Sequence, residues 1–397
     1  MQIPSADPSL LAAPAALRTR PHSRHQLRRQ ALFAAARHEE PSASVVLICN
    51  AKDILYLTGV REGISWLLVA ADLTIAVSRH LMVHEVREEL PDCEVILPSA
   101  RSTDPVNLEA FVAAELSRRS LNVALLETAK ISAASYLKLV THCDDKRLTV
   151  RPATGLLEAL RSIKDDQETR IIRRCVEIAE LAFQQLIEQG AAGLLGRTER
   201  DVAMELERLM LAMGADRQGF PDTGIIVAGG SNSANAHHQP GTRCLQSGDP
   251  VLIDWGAELC GYRSDQTRTL FLHEVPEFAR AAYPVVAHAL DRAASLLAAG
   301  APLSEVDEAA RQSVVSAGFP EFHYGVGHGV GLDIHEGPWI RADSTARFKE
   351  NMITTIEPGI YLPGIGGIRI ERLYRITADG ATALDTLPVS LEEMVLA

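Results

Sequence analysis

Residues 250–272, PVLIDWGAELCGYRSDQTRTLFL, and residues 352–377, MITTIEPGIYLPGIGGIRIERLYRIT, decide the fold. Both read as strand, turn and strand, with β-branched and apolar runs broken by Gly and Pro. Each places two acids inside apolar strand sequence: Asp254 and Asp265 in the first, Glu357 and Glu371 in the second. Asp254 and Asp265 stand eleven residues apart across what should be a tight antiparallel hairpin, close enough to share a pocket.

The sequence before each stretch repeats the same plan. DDQETRIIRRCVEIAELAFQQLIEQG and TERDVAMELERLMLAMG have helical period ahead of the first, and EFARAAYPVVAHALDRAASLLAAG and LSEVDEAARQSVVSAG ahead of the second. Thr198 and Ser304 stand where N-caps belong, with Asp201 and Asp307 three residues on; Gly190, Gly214, Gly300 and Gly318 stand where C-caps belong. The C-terminal part should therefore be a pseudo-symmetric antiparallel sheet with covering helices.

Further toward the N-terminus, SASVVLICN, DILYLTGV, SWLLVAADLTIAVS and LNVALLETA read as strands, and VNLEAFVAAELSRRS and AASYLKLVTHC as helices, which makes a smaller α/β layer. The region near Pro152 to Ile163 reads as a hinge, so the expected division is an extension over residues 1–25, a first domain over 26–160 and a second over 161–397. A length of 397 residues exceeds what one core usually fills, which agrees with two domains. QLRRQALFAAARHEE, from Gln26, reads as an amphipathic helix that opens the first domain.

Composition narrows the class. The chain is 47% hydrophobic and 23% charged, ordinary for a globular protein, and has no apolar run of membrane-spanning length. A net charge of -12 argues against binding nucleic acid or an anionic membrane. Six cysteines without a CxxC pair suit neither a zinc knuckle nor a disulfide framework, and are expected to be reduced and mostly buried. The first thirty residues are Arg-rich but lack the apolar core of a secretory signal, so the expected location is cytoplasmic.

A carboxylate in an apolar strand loses its hydration, and its ionised form survives only beside compensating charge. Salt bridges to Arg369 and Arg372 could explain one such acid; four in a repeated context, with His328 among glycines in GVGHGVGLDIH, suit metal ligation better. Asp254, Asp265, His328, Glu357 and Glu371 form an oxygen-rich set that favours manganese, cobalt or iron over structural zinc. Carboxylates can bridge, so five ligands suffice for two ions roughly 3.5–4 Å apart, with a water of lowered pKa between them.

The stretches HHQPGTRCLQSGDPVLIDWGAELCGYRSDQTRT, GVGHGVGLDIHEGP, TTIEPGIY and GGIRIE resemble the metal-binding signatures of the pita-bread metallopeptidases, the group of aminopeptidase P and prolidase. The resemblance runs over about residues 26–397 and implies a pita-bread catalytic domain behind a creatinase-like N-terminal domain. It further implies that Asp254 chelates one of two divalent ions, that Asp265 and Glu371 bridge both, and that His328 and Glu357 complete the second. Glu357 would also accept the proton of the attacking water. His237 and His335 match histidines that contact the scissile carbonyl and the oxyanion, and Arg369 matches an arginine lining the site.

Two positions depart from the family's pattern. Tyr324 stands where the proline-specific members usually carry a histidine, with His323 displaced by one, and Arg372 stands where an acid usually follows Glu371. Alternation along a strand should turn Arg372 away from Glu371. The activity implied is hydrolysis of the Xaa-Pro bond of a peptide by a manganese-dependent homodimer, as aminopeptidase or dipeptidase, with cobalt, iron or zinc as other ions. Hydrolysis of another C–N bond in a small metabolite is the alternative, and a metal-free interaction module is the reading from another class.

Overall fold

Val45–Ile48, VVLI, is buried at every position because both its neighbours and both its faces are covered. In the computed structural model, which describes residues 22–98 and 107–397, this strand pairs antiparallel with Ile64–Val69 and parallel with Val123–Glu127. Thr74–Ser78 and Glu94–Ile96 extend the sheet on one side and Thr149–Ala153 on the other, giving six strands. Leu47, Trp66, Leu68, Val112, Leu116 and Leu126 pack into one apolar cluster, so the sheet and the Leu108–Arg118 helix share a core.

Two readings of this region change. DILYLTGV is not a strand: Asn50 accepts hydrogen bonds from the backbone of Lys52 and Asp53, and Gly59 at φ 78° closes an Ala51–Thr58 helix. Eight residues are too few for periodicity to separate the two states, and here the caps decide. Residues 152–163, expected to lead from one domain into the next, hold a strand end and the Leu156–Ser162 helix, and the division into two compact units falls within them, after Arg161. The first helix spans His22–Glu39, so residues 22–25 belong to it, and the rest of the expected extension lies outside the described residues.

That helix caps another. The Tyr56 carbonyl accepts from Arg28 Nη1 (2.9 Å) and His25 Nδ1 (3.0 Å), and Leu57 O from Arg29 Nη1 (2.9 Å), satisfying carbonyls at the end of Ala51–Thr58. His25 is 2% exposed, and its Nε2 has no partner among the described residues. Burial first, and then the charges of Arg24, Arg28 and Arg29, lower its pKa from 6.5 to about 3, against the raising effect of the Tyr56 bond. Below pH 6.5 the unfolded chain takes a proton that the folded chain refuses, so stability falls by about 1.4 kcal/mol per pH unit until about pH 3. From pH 7 to 5 this amounts to about 2 kcal/mol, and urea unfolding should show that decrement missing from His25→Gln. Equal pH dependence of the two proteins would refute it.

Described separately, residues from Ser162 to Ala397 form a second compact unit. Asp165 and Glu168 form a capping box at the Asp166–Ile187 helix, and Thr198 and Asp201 form another at Glu199–Ala212. Gly214 and Gly318 take left-handed backbone just past the ends of Glu199–Ala212 and Leu303–Ser316. Gly190 and Gly300 lie farther beyond their helices. Ser304 is not an N-cap, because the helix already begins at Leu303 after Pro302. Asp307 turns inward instead, accepting from Val326 N (2.9 Å) and from Arg311.

Two antiparallel arrays fill this unit as the repeat foretold. Pro250–Trp255 lies between Ile226–Gly229 and Gln266–Leu272, and Val395–Leu396 joins the far edge in parallel. Ile353–Ile356 lies between Gly327–Gly329 and Arg372–Ile376, with Glu336–Ile340 and Ala381–Ala383 outside. Thr267 joins the arrays: it pairs with Asp254 on one side and forms an antiparallel bridge with Glu371 on the other.

Beside that bridge Arg268, 0% exposed, donates to the carbonyls of Thr267 (2.9 Å) and Glu371 (2.6 Å) and to Asp385 Oδ2 (2.6 Å). Arg372 reaches the same Asp385, on the face away from Glu371. All six cysteines are free, but only Cys143 and Cys175 are buried; Cys244 is exposed and the others are intermediate. Among the described residues no helix is long and apolar enough to cross a membrane.

Candidate metal centre

Strand pairing brings the acids together. Directly opposed residues in an antiparallel pair share a face, so Asp254 and Glu371 flank Thr267 on one side of the sheet. Asp265, two residues before Thr267, points the same way. His328 sits in the Gly327–Gly329 strand, and Glu357 follows Ile353–Ile356, its backbone N–H bonded to Val326 O (2.8 Å). The glycines beside His328 are required by close approach: a Cβ at Gly327 would lie 2.1 Å from Thr355 O, and one at Gly329 2.2 Å from Gly337 O.

Asp254 and Glu371 are each half satisfied. Arg369 Nη2 donates to Asp254 Oδ2 (2.6 Å) and Thr267 Oγ1 to Glu371 Oε2 (2.7 Å), while Thr267 accepts from Arg369 Nε (3.1 Å). The other oxygens, Asp254 Oδ1, Asp265 Oδ1 and Glu371 Oε1, are buried without a hydrogen-bond partner among the described residues. Asp254, Asp265 and Glu371 each offer an oxygen within 4.8 Å of the others; His328, Glu357 and Glu371 make a second such group, and Asp265, His328 and His335 a third. His328 Nδ1 lies 3.1 Å from Gly329 O, which directs Nε2 to Glu357 Oε1 (3.2 Å) and Asp265 Oδ2 (3.6 Å).

Burial, and then the charge of neighbouring carboxylates, pushes the Asp265 and Glu371 carboxyls well above their ordinary range. Asp254 is raised by burial against the pull of Arg369. In Glu357 burial acts upward too, but the hydrogen bond and charge of His328, then Arg369, hold the carboxyl below its usual value. One guanidinium cannot neutralise four clustered acids. Orphaned oxygens facing one another beside an imidazole are the donor set that a divalent cation satisfies, so the residues fit the metal expected here.

A cavity of about 360 Å³ opens over these groups. His237, His335, Tyr324 and Arg369 line it; His323 does not. The His335 ring lies edge-on to His328 with centroids 4.4 Å apart, and burial followed by the His328 charge lowers its pKa to about 4. Tyr324 Oη lies 3.3 Å from Glu357 O and 3.1 Å from Tyr361 Oη, which accepts from Arg369 Nη1 (2.9 Å).

Tyr361 and the wall residues Phe220, Trp339 and Arg341 were not foreseen. For Tyr361 the signal was available. In the Gly359–Leu362 and Gly366–Arg369 hairpin, Gly359 pairs with Arg369, so alternation puts Tyr361 and Arg369 on one face.

Residues 170–378 match metallopeptidase family M24, and residues 28–163 match the creatinase/prolidase N-terminal domain. An Xaa-Pro dipeptidase of Pyrococcus furiosus is 40% identical over 230 residues, 58% of this chain and 64% of that relative, so the chain spans just under two thirds of its length. The solved structure of an Xaa-Pro dipeptidase from Bacillus anthracis is similar at a TM-score of 0.85 with 28% identity, covering 94% of this chain and 100% of that one. An X-Pro aminopeptidase from Thermotoga maritima is similar at 0.80 with 27% identity, over 93% of this chain and 99% of that one.

Proposed function

Because the chain belongs to metallopeptidase family M24, we propose that it is a dinuclear metal-dependent exopeptidase hydrolysing the bond between an N-terminal residue and proline. The observation that carries this reading is the set of three buried, unpartnered carboxylate oxygens beside His328 and Glu357 under one cavity. Asp254, Asp265, His328, Glu357 and Glu371 would hold two divalent ions, manganese by preference, with Asp265 and Glu371 shared between them. Such ions, when bound, acidify water and polarise a carbonyl.

The chain's own groups do the rest. The Glu357 carboxylate takes a proton from the attacking water and passes it to the leaving amine. His237 and His335, on the cavity wall, hold the substrate in place and donate to its carbonyl oxygen as negative charge develops there. Arg369 and Thr267 occupy the outer oxygens of Asp254 and Glu371, which leaves the inner oxygens directed at the site.

Elemental analysis of the purified protein beside kcat/KM on Xaa-Pro and Xaa-Ala dipeptides and longer peptides tests the proposal. Chelation should abolish turnover, and manganese should restore it. Full activity in a metal-free preparation would end the two-metal reading.

Tyr324 bears on how strictly proline is required. Its hydroxyl stays neutral near pH 7 and donates a single hydrogen bond, where an imidazole could become cationic. Tyr324→Phe should lower kcat/KM by about 5–10-fold with metal content intact, the worth of one ordinary hydrogen bond. Tyr324→His should raise the ratio of Xaa-Pro to Xaa-Ala hydrolysis. A ratio constant across the three proteins would remove Tyr324 from substrate recognition.

A further inference from the structure

His237 reaches the cavity from a loop, residues 230–241, that runs between the Ile226–Gly229 strand and the segment returning to Pro250. Loop backbone moves more easily than sheet, so a side chain that must meet a substrate oxygen needs its loop fixed. The fixing group lies outside the cavity. Glu199, the first residue of the Glu199–Ala212 helix, is 0% exposed and accepts four hydrogen bonds. Oε1 takes Gly229 N (2.9 Å) and Asn232 Nδ2 (2.8 Å), and Oε2 takes His238 Nε2 (2.8 Å) and Gly241 N (3.0 Å).

The partners span the loop from entry to exit, and His238 is the neighbour of His237. The same helix start receives the returning chain, with Glu199 N bonded to Arg243 O (3.0 Å) and Arg200 N to Gly241 O (3.1 Å). From the far side Arg369 Nη1 holds Ala236 O (3.1 Å). Burial raises the Glu199 carboxyl, yet its four donors outweigh burial and leave it below the usual range, so the acceptor is the ionised carboxylate.

We propose that Glu199 is a positioning residue for the reaction: its carboxylate clamps both ends and the body of loop 230–241 and thereby presents His237 to the substrate. The role in turnover rests on the peptidase reading above; the clamp itself does not.

Glu199→Gln keeps the shape but replaces one acceptor oxygen by an NH2 group that faces donors. In the full-length protein, amide exchange over 230–241 should become at least about tenfold faster, while the Pro250–Trp255 and Gln266–Leu272 strands keep their protection. kcat/KM on an Xaa-Pro dipeptide should fall about tenfold with metal content unchanged, and in a His237→Ala background the same substitution should cost less than about twofold. A loss of equal size in both backgrounds would show that Glu199 does not act through His237 and would overturn the proposal.

His238→Ala removes one donor from a half-buried position and guards against a Glu199 variant that does not fold. It should loosen the same loop by about threefold. Unchanged exchange in both variants would overturn the clamp. A wild-type protein inactive on every peptide, with the exchange result as expected, would count against the peptidase reading alone.

Discussion

Glutamine in place of Glu357 is expected to lower kcat by roughly 10²–10⁴, the range associated with losing a general acid–base group. That corresponds to about 2.7–5.4 kcal/mol of barrier. The amide has the carboxylate's shape and retains one oxygen toward the His328 side, where Oε1 stands 3.2 Å from Nε2. It has no basicity with which to take a proton. KM and metal content should therefore change far less than kcat. Near wild-type turnover in a fully metal-loaded Glu357→Gln protein would assign the proton transfer to another group.

Asp385→Ala is expected to destabilise the C-terminal unit by about 3–5 kcal/mol, the usual result of removing one partner from a buried ion pair. Asp385 and Arg268 have fully buried side chains, and Arg372 shares the same carboxylate, so the substitution strands two guanidinium groups. Replacing Arg268 and Asp385 together by Met and Leu should recover much of the loss, because the fully buried guanidinium is then gone and only the partly exposed Arg372 is left without that carboxylate. Denaturant unfolding of the full-length proteins measures both. A single variant within about 1 kcal/mol of wild type would mean that backbone carbonyls alone satisfy Arg268.

Much of this was written locally in the chain. The Asp166–Ile187 helix shows its apolar period and its Asp165 capping box in sequence, and so does Thr198 at the next helix. The acids of the site stood out because carboxylates within apolar strands are costly, an anomaly that needs no three-dimensional information. What escaped notice depended on tertiary partners. Ser304 and Asp307 have the spacing of a capping box, but Asp307 is drawn inward by Val326 N and Arg311. DILYLTGV has strand-like residues, but Asn50 and Gly59 cap a helix. Phe220, Trp339 and Arg341 meet at the cavity only through the packing of segments more than a hundred residues apart, and nothing about each alone distinguishes it from ordinary surface or core.

Thr267, seated between Asp254 and Glu371, has a consequence in time. Its hydroxyl contact with Glu371 spans 104 positions of sequence, so the acids from the two repeats converge only after a long loop has closed. Neither repeat folded alone contains the whole centre: the first supplies Asp254 and Asp265 without the histidine, and the second supplies His328, Glu357 and Glu371 without the aspartates. During synthesis the chain must therefore be past residue 371 before the acids can gather. A growing polypeptide would carry no hydrolytic centre able to act on its own emerging neighbours, and activity would arrive in one step with completion of the second array.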